Sequence, residues 1–326
     1  MSEHPRWDDL SELSETFTCY SAAVATWVAH DLGSWRSVVN PGLTLTVVDA
    51  GQRLFGFAHF PPTLRAELGL VRVGVEEGPA AVAGVLDELA KNGRVIVAGD
   101  GFRLPWHVAH DRRHVPHWFV LAGTADRLEA QDPFACRNEL GVQRIARTPI
   151  AHEDLAELLI GLPGGDPVLE LRERLALGDD CAVPSGRCQW FVHSEVSGSR
   201  APEGAQGRDA ALALAASFRE HGQEPHAYAQ ADDIWSIARH RAFLARHAAD
   251  VAADTHDDAL ASWVTEHAEP LAKRWGHMAP LLMQATLALD AGRAASGSVP
   301  DMLEDLAARE HAASQAFPSE LGAGSI

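Results

Sequence analysis

Apolar and polar positions alternate along the chain in two regimes. Residues 43–76 read as short strands and turns, Leu43–Val48, Gly51–His59 and, after Pro61-Pro62, Leu70–Val75, which alternates as a strand does. Val82, Val85, Leu86 and Leu89 then recur at helical spacing, which predicts a helix over Pro79–Asn92 stopped by Gly93. Arg94–Ala98 and Trp118–Ala122 are continuous apolar runs and read as buried strands, with Gly99-Asp100-Gly101 as a turn. A further strand is expected over 128–134.

After about residue 150 the pattern becomes mostly helical. Helices are predicted over His152–Leu162, Pro167–Gly178, 208–221, 231–253, 257–289 (broken near Gly276) and 299–316, and the tail Phe317–Ile326 reads as frayed. Cys188–His193 is an apolar extended segment inside a Gly/Ser/Pro-rich stretch. An α+β architecture follows, with an N-terminal unit over 1–150 and a mainly helical one over 151–326.

Near the start, Thr16–Ser21 leads into the small and apolar run Ala22–His30, with Gly33 just after, and Thr18 or Ser21 is placed to cap a helix. Cys19 therefore falls at a helix N-terminus, where backbone N–H groups and the positive dipole end favour a thiolate. His117 opens the strand Trp118–Ala122, and the chain turns over Thr124–Arg127 before returning to Asp132. With the turn centred near Ala125, His117 faces about Pro133, and Asp132 lies within one residue of that position. Glu129 is the reserve carboxylate if the register slips. Cysteine, histidine and carboxylate form the set that nucleophilic catalysis on a carbonyl requires.

Composition narrows the alternatives. A net charge of −18 over 326 residues disfavours nucleic acid and favours cationic small molecules. Four cysteines are too few for a disulfide scaffold, the opening Met1–Asp9 is polar and acidic rather than a signal peptide, and no apolar run is long enough to cross a bilayer. A reduced cytoplasmic setting is expected. His107, His110, His114 and His117 invite a metal reading, but Pro116 and Asp111-Arg112-Arg113 argue for a loop. Cys181, Cys188 and His193 lack a fourth ligand, so no metal is expected. Arg239–Arg246 is the most basic stretch and reads as a solvated helix face, or else as a docking patch for an acidic partner.

Several short motifs carry a family resemblance. They are Cys19-Tyr-Ser-Ala-Ala, Gly93–Asp100 followed by Leu104-Pro105-Trp106, His117–Gly123 and Asp132-Pro133, with Arg241-Ala-Phe-Leu244 and Trp275 in the second half. Together they resemble the butirosin-H-type N-terminal domain, a papain-like acyltransferase family, followed by its helical domain. The glycine-rich segment usual after the first helix of that family is present here only as Gly51–Phe57.

The resemblance implies a papain-like first domain and a cysteine acyltransferase of antibiotic biosynthesis, similar in logic to lincosamide condensation enzymes. The donor would be the phosphopantetheine thioester of an acyl or aminoacyl carrier protein, with no tightly bound cofactor. The acceptor would be the amine of a cationic amino sugar. Cys19 would be the nucleophile, His117 the base and Asp132 the orienting carboxylate, with Tyr20, Asp100 and Trp118 at the substrate. A cysteine peptidase or amidase on the same fold, and a non-catalytic binding module, are the other readings.

Overall fold

The computed structural model describes residues 7–31, 35–40, 42–60, 68–75, 78–124, 127–178, 186–194 and 202–318. The lead-in before Trp7, Gly33, Pro61-Pro62, the hairpin tip at 125–126, Cys181 and the tail beyond Pro318 lie outside the described residues.

The strands run β1 (Thr46–Asp49), β2 (Phe55–Ala58), β3 (Leu70–Val75), β4 (Arg94–Asp100), β5 (Pro116–Thr124) and β6 (Arg127–Asp132). They continue with β7 (Cys136–Asn138), β8 (Gly141–Gln143), β9 (Ala146–Ile150), β10 (Cys188–His193) and β11 (Ala205–Gln206). All pairings are antiparallel, and a helical region follows them, so the protein is of the α+β class.

Two compact units share the chain. The first takes Met1–Val39, Pro62–Arg174 and Asp180–Arg200, and the second takes Asn40–Pro61, Leu175–Asp179 and Ala201–Ile326. The division interleaves along the sequence instead of crossing once near residue 150.

The first unit is built on a six-stranded sheet in the order β3-β10-β4-β5-β6-β9. β5 is covered on both sides, which explains its unbroken apolar run. Phe119 and Leu121 join Val85 and Leu89 of the helix Pro79–Asn92 in one core. Trp118, on the other side of the strand, lies 5.2 Å from the Tyr20 ring of the helix Cys19–Ala29. The helix Pro79–Asn92 begins with Pro at its first position and ends on Gly93 in the left-handed region, as its sequence predicts.

Two expectations fail here. Gly99 and Asp100 do not turn but continue β4, paired with His117 and Pro116. The helix foreseen over His152–Leu162 shrinks to Leu155–Leu158. Leu155, Leu158 and Leu159 are all buried in the core, and Gly161 then passes so close to the Arg187 backbone that a Cβ would come within 2.5 Å of it. A continued helix has no room for that approach.

The second unit holds a small sheet, β11-β1-β2, and the helices Gly207–His221, Ala231–Thr255, Asp258–Trp263, Glu269–Gly276, Met278–Asp290 and Ser298–Gln315. Val264–Ala268 forms a π turn between two of them. The stretch Arg239–Arg246 is not a solvated face: Arg239, His240 and Arg241 are buried and only Arg246 of its arginines is exposed. Arg241 donates through Nε and Nη2 to both carboxylate oxygens of Glu310, at 2.8 and 3.1 Å, and through Nη1 and Nη2 to the carbonyls of Gly42 and Leu43. Trp275 adds its indole N–H to Glu310 at 2.8 Å. The basic residue and the late tryptophan thus hold this unit together from inside.

Candidate active site

Cys19 is the first residue of its helix. Thr18, in extended conformation, caps it: its Oγ1 accepts the Ser21 N–H at 3.2 Å, while the Ser21 hydroxyl accepts the Thr18 N–H at 2.8 Å. The N–H groups of Cys19 and Tyr20 have no acceptor within the helix and carry its positive dipole end. Cys19 is partly exposed, whereas Cys188 is buried.

Cys19 lies close enough to the His117 ring to add to its basicity. His117 Nε2 lies 2.7 Å from Asp132 Oδ2, with both side chains almost fully buried. The β5–β6 hairpin fixes this pairing. Thr124 faces Arg127 and Val120 faces Gln131, so continuing the register sets Asp132 against Phe119 and Phe134 against His117. His117 and Asp132 are therefore diagonal neighbours on one face. The expected pairing of His117 with Pro133 is off by one residue, and that slip would have turned Asp132 to the opposite face. Glu129, opposite Ala122, is on the face away from His117 and accepts Arg147 Nε and Nη2 at 2.9 and 2.7 Å.

Asp132 is held by four donors. Oδ2 receives His117, the Trp106 indole N–H at 3.0 Å and Gln143 Nε2 at 3.1 Å, and Oδ1 receives the Phe134 N–H at 3.1 Å. Trp106 entered the sequence reading only as part of a short motif. Gln143, on β8, carries no sequence signal, because its partner is reached only after the β7–β8 hairpin folds back.

Burial alone would lower the basicity of His117. The Asp132 charge and hydrogen bond outweigh it, with Cys19 adding to them, and its pKa is raised to about 10. His107 packs beside it with ring centroids 4.3 Å apart. Burial, and then the His117 charge, lower the pKa of His107 to about 2. His107 Nδ1 accepts the Ala109 N–H at 3.1 Å, which puts the ring proton on Nε2. Gly101 makes room for this ring: a Cβ there would lie 2.7 Å from His107 Nδ1.

The three residues expected at the substrate spend their polar atoms inside the fold. The Tyr20 hydroxyl donates to Glu173 Oε1, and the Trp118 indole N–H lies 3.1 Å from each Glu173 oxygen. Burial, and then the Glu173 charge, push the Tyr20 pKa well up, and burial likewise raises that of Glu173 against the opposing Arg72 charge. Asp100 accepts from the Phe102 N–H and pairs with His114. Glu173 was invisible in the sequence because Leu171-Arg-Glu-Arg174 has the look of a solvated helix face.

The histidines of the metal reading are engaged separately: His107 with His117, His114 with Asp100, and His110 Nδ1 with the Phe102 carbonyl. Among the described residues no three His, Cys, Asp or Glu side chains converge as metal ligands do. No helix among them is long and apolar enough to cross a membrane. A scan against models of known protein families and a search of curated proteins found no match to this chain.

Proposed function

We propose that the chain is a cysteine-dependent acyltransferase that forms an amide from a thioester, with Cys19 as nucleophile, His117 as proton carrier and Asp132 as orienting carboxylate. One observation carries the reading: a partly exposed thiol at a capped helix start adds to the basicity of a histidine that is itself fixed on a buried, four-donor carboxylate. A cysteine helix against an antiparallel sheet bearing the histidine also suits a papain-like first domain.

The raised basicity of His117 keeps its ring protonated at neutral pH. An imidazolium beside a thiol favours the thiolate. The Cys19 sulfur attacks the thioester carbonyl, and the Cys19 N–H at the helix start stabilises the oxyanion. The carbon–sulfur bond to the donor breaks, and His117 gives its proton to the departing thiolate. The neutral imidazole then takes a proton from the acceptor amine as its nitrogen attacks the acyl-cysteine, which regenerates the imidazolium–thiolate pair. The donor is read as the phosphopantetheine thioester of an acyl or aminoacyl carrier protein, and the acceptor as a cationic amino sugar, which the net charge of −18 would attract.

The test is intact-mass spectrometry of the protein incubated with aminoacyl-loaded carrier proteins, followed by addition of amino-sugar acceptors. An acyl adduct on Cys19, lost in Cys19→Ala and discharged by the amine, is expected. Peptide cleavage without thioester aminolysis would assign the site to a peptidase, and an unreactive Cys19 would remove the covalent mechanism.

A further inference from the structure

Arg72, on β3, is 6% exposed. Its Nη1 donates to the Glu173 backbone carbonyl at 2.6 Å, and its guanidinium lies 4.8 Å from the Trp118 ring centroid and 5.8 Å from that of Phe191. The Nε and Nη2 atoms on the opposite edge are buried and have no hydrogen-bond partner. A guanidinium stays charged wherever it is placed, and buried N–H donors left without an acceptor carry a desolvation cost. Glu173 and Arg72 attract each other, but the Glu173 oxygens hydrogen-bond to Tyr20 and Trp118 and leave the Arg72 Nε and Nη2 donors unmet.

The unpaired edge has a definite shape. Nε–H and Nη2–H point in parallel and match two oxygens of one anion, the fork by which arginine grips carboxylates and phosphates. Nη1 is anchored on the Glu173 carbonyl and the guanidinium packs against the adjacent Trp118 and Phe191 rings, which restricts the orientation of the fork. β3 is the outermost strand of its sheet, but the guanidinium lies by Trp118 of β5, so the fork sits over the sheet's face. Tyr20, the residue next to Cys19, joins the same cluster through Glu173.

We propose that Arg72 is an anion-binding residue, whose Nε and Nη2 edge takes two oxygens of a carboxylate or phosphate group on a small-molecule ligand. This is separate from the acyl-transfer reading and is measured without turnover.

The full chain, labelled with 15N-arginine, is titrated with sodium acetate and, in a second arm, with inorganic phosphate, chloride holding the ionic strength constant. A protected Arg Nε–H resonance is expected to move saturably, while that of Arg241, already held by Glu310, stays in place. The anion that saturates at the lower concentration identifies the ligand group. Arg72→Lys keeps the charge but not the fork, and should weaken binding at least tenfold. No movement of any protected Nε–H beyond the chloride control in the wild-type protein overturns the proposal, and so does equal anion binding by a folded Arg72→Lys variant. If that variant does not fold, the wild-type titration decides alone.

Discussion

His117 Nε2 and Asp132 Oδ2 meet at 2.7 Å from diagonal positions on one face of the β5–β6 hairpin. Every other hydrogen bond to that carboxylate also comes from a donor: Trp106 and Gln143 on Oδ2, and the Phe134 N–H on Oδ1. Only a group with two acceptor atoms fits such a ring.

Asp132→Asn tests that requirement. Whichever way the amide is turned, its NH2 faces a donor. The variant should lose about 1–3 kcal/mol of stability, the cost of an unsatisfied buried group. Its acyl-transfer rate should fall on the order of a thousandfold as the imidazole loses its fixed tautomer. Urea unfolding and single-turnover thioester aminolysis measure the two effects separately.

Glu129→Gln should do neither. Glu129 is on the other face of the hairpin, and its ion pair with Arg147 is about 30% exposed on both sides, 28% and 31%. Such pairs contribute roughly 0–1 kcal/mol. A rate within twofold of the wild type is expected. A large loss would mean that the β5–β6 register is not the one described.

The two neighbouring histidines should leave opposite marks on the stability–pH curve. His107 has a folded pKa of about 2 against an ordinary 6.5. Below pH 6.5 the unfolded chain takes up a proton that the folded site refuses, so stability falls as the pH drops from 6.5 towards 2. His117 has a folded pKa of about 10. Its contribution is fully present below pH 6.5 and is lost as the pH rises through 10. His107→Gln should flatten the acid side and His117→Gln the alkaline side, measured by denaturant unfolding across pH. His240, whose pKa burial also pushes well down, should keep some acid sensitivity in the first variant.

The Arg241–Glu310 pair is 1% and 2% exposed. Removing one partner leaves the other charge buried alone, so Glu310→Gln should cost about 3–5 kcal/mol in chemical denaturation. Replacing both, as Arg241→Met with Glu310→Leu, should recover much of that loss. A Glu310→Gln variant within 1 kcal/mol of wild type would contradict the buried pairing.

Elements whose boundaries are set by local chemistry were legible in the sequence. The Pro79 start and Gly93 stop delimit one helix, Thr18 caps another, and the apolar runs of β5 and β10 announce strands. Cys19, His117 and Asp132 could be singled out because each begins or ends such an element. Gln143 could not, since it meets Asp132 only after the β7–β8 hairpin folds back, and Glu173 and Arg72 could not, since they meet partners 153 and 101 residues away. The basic run at Arg239–Arg241 misled for the same reason. Charge in a sequence suggests solvent, and only the Glu310 carboxylate, 69 residues on, makes burial of Arg241 tolerable.

The position of β10 sets an order on synthesis. This strand lies between β3 and β4, so β3, β4, β5, β6 and β9 cannot complete their sheet when they leave the ribosome. Both β3 and β4 wait with a bare edge until His193 has emerged, more than 90 residues after β4 ends at Asp100. A fragment stopped at residue 150 would keep Cys19, His117 and Asp132 but would leave β3 without a partner and one edge of β4 unpaired, and bare edges invite aggregation. The candidate catalytic residues are thus made early, and the sheet that carries them closes late.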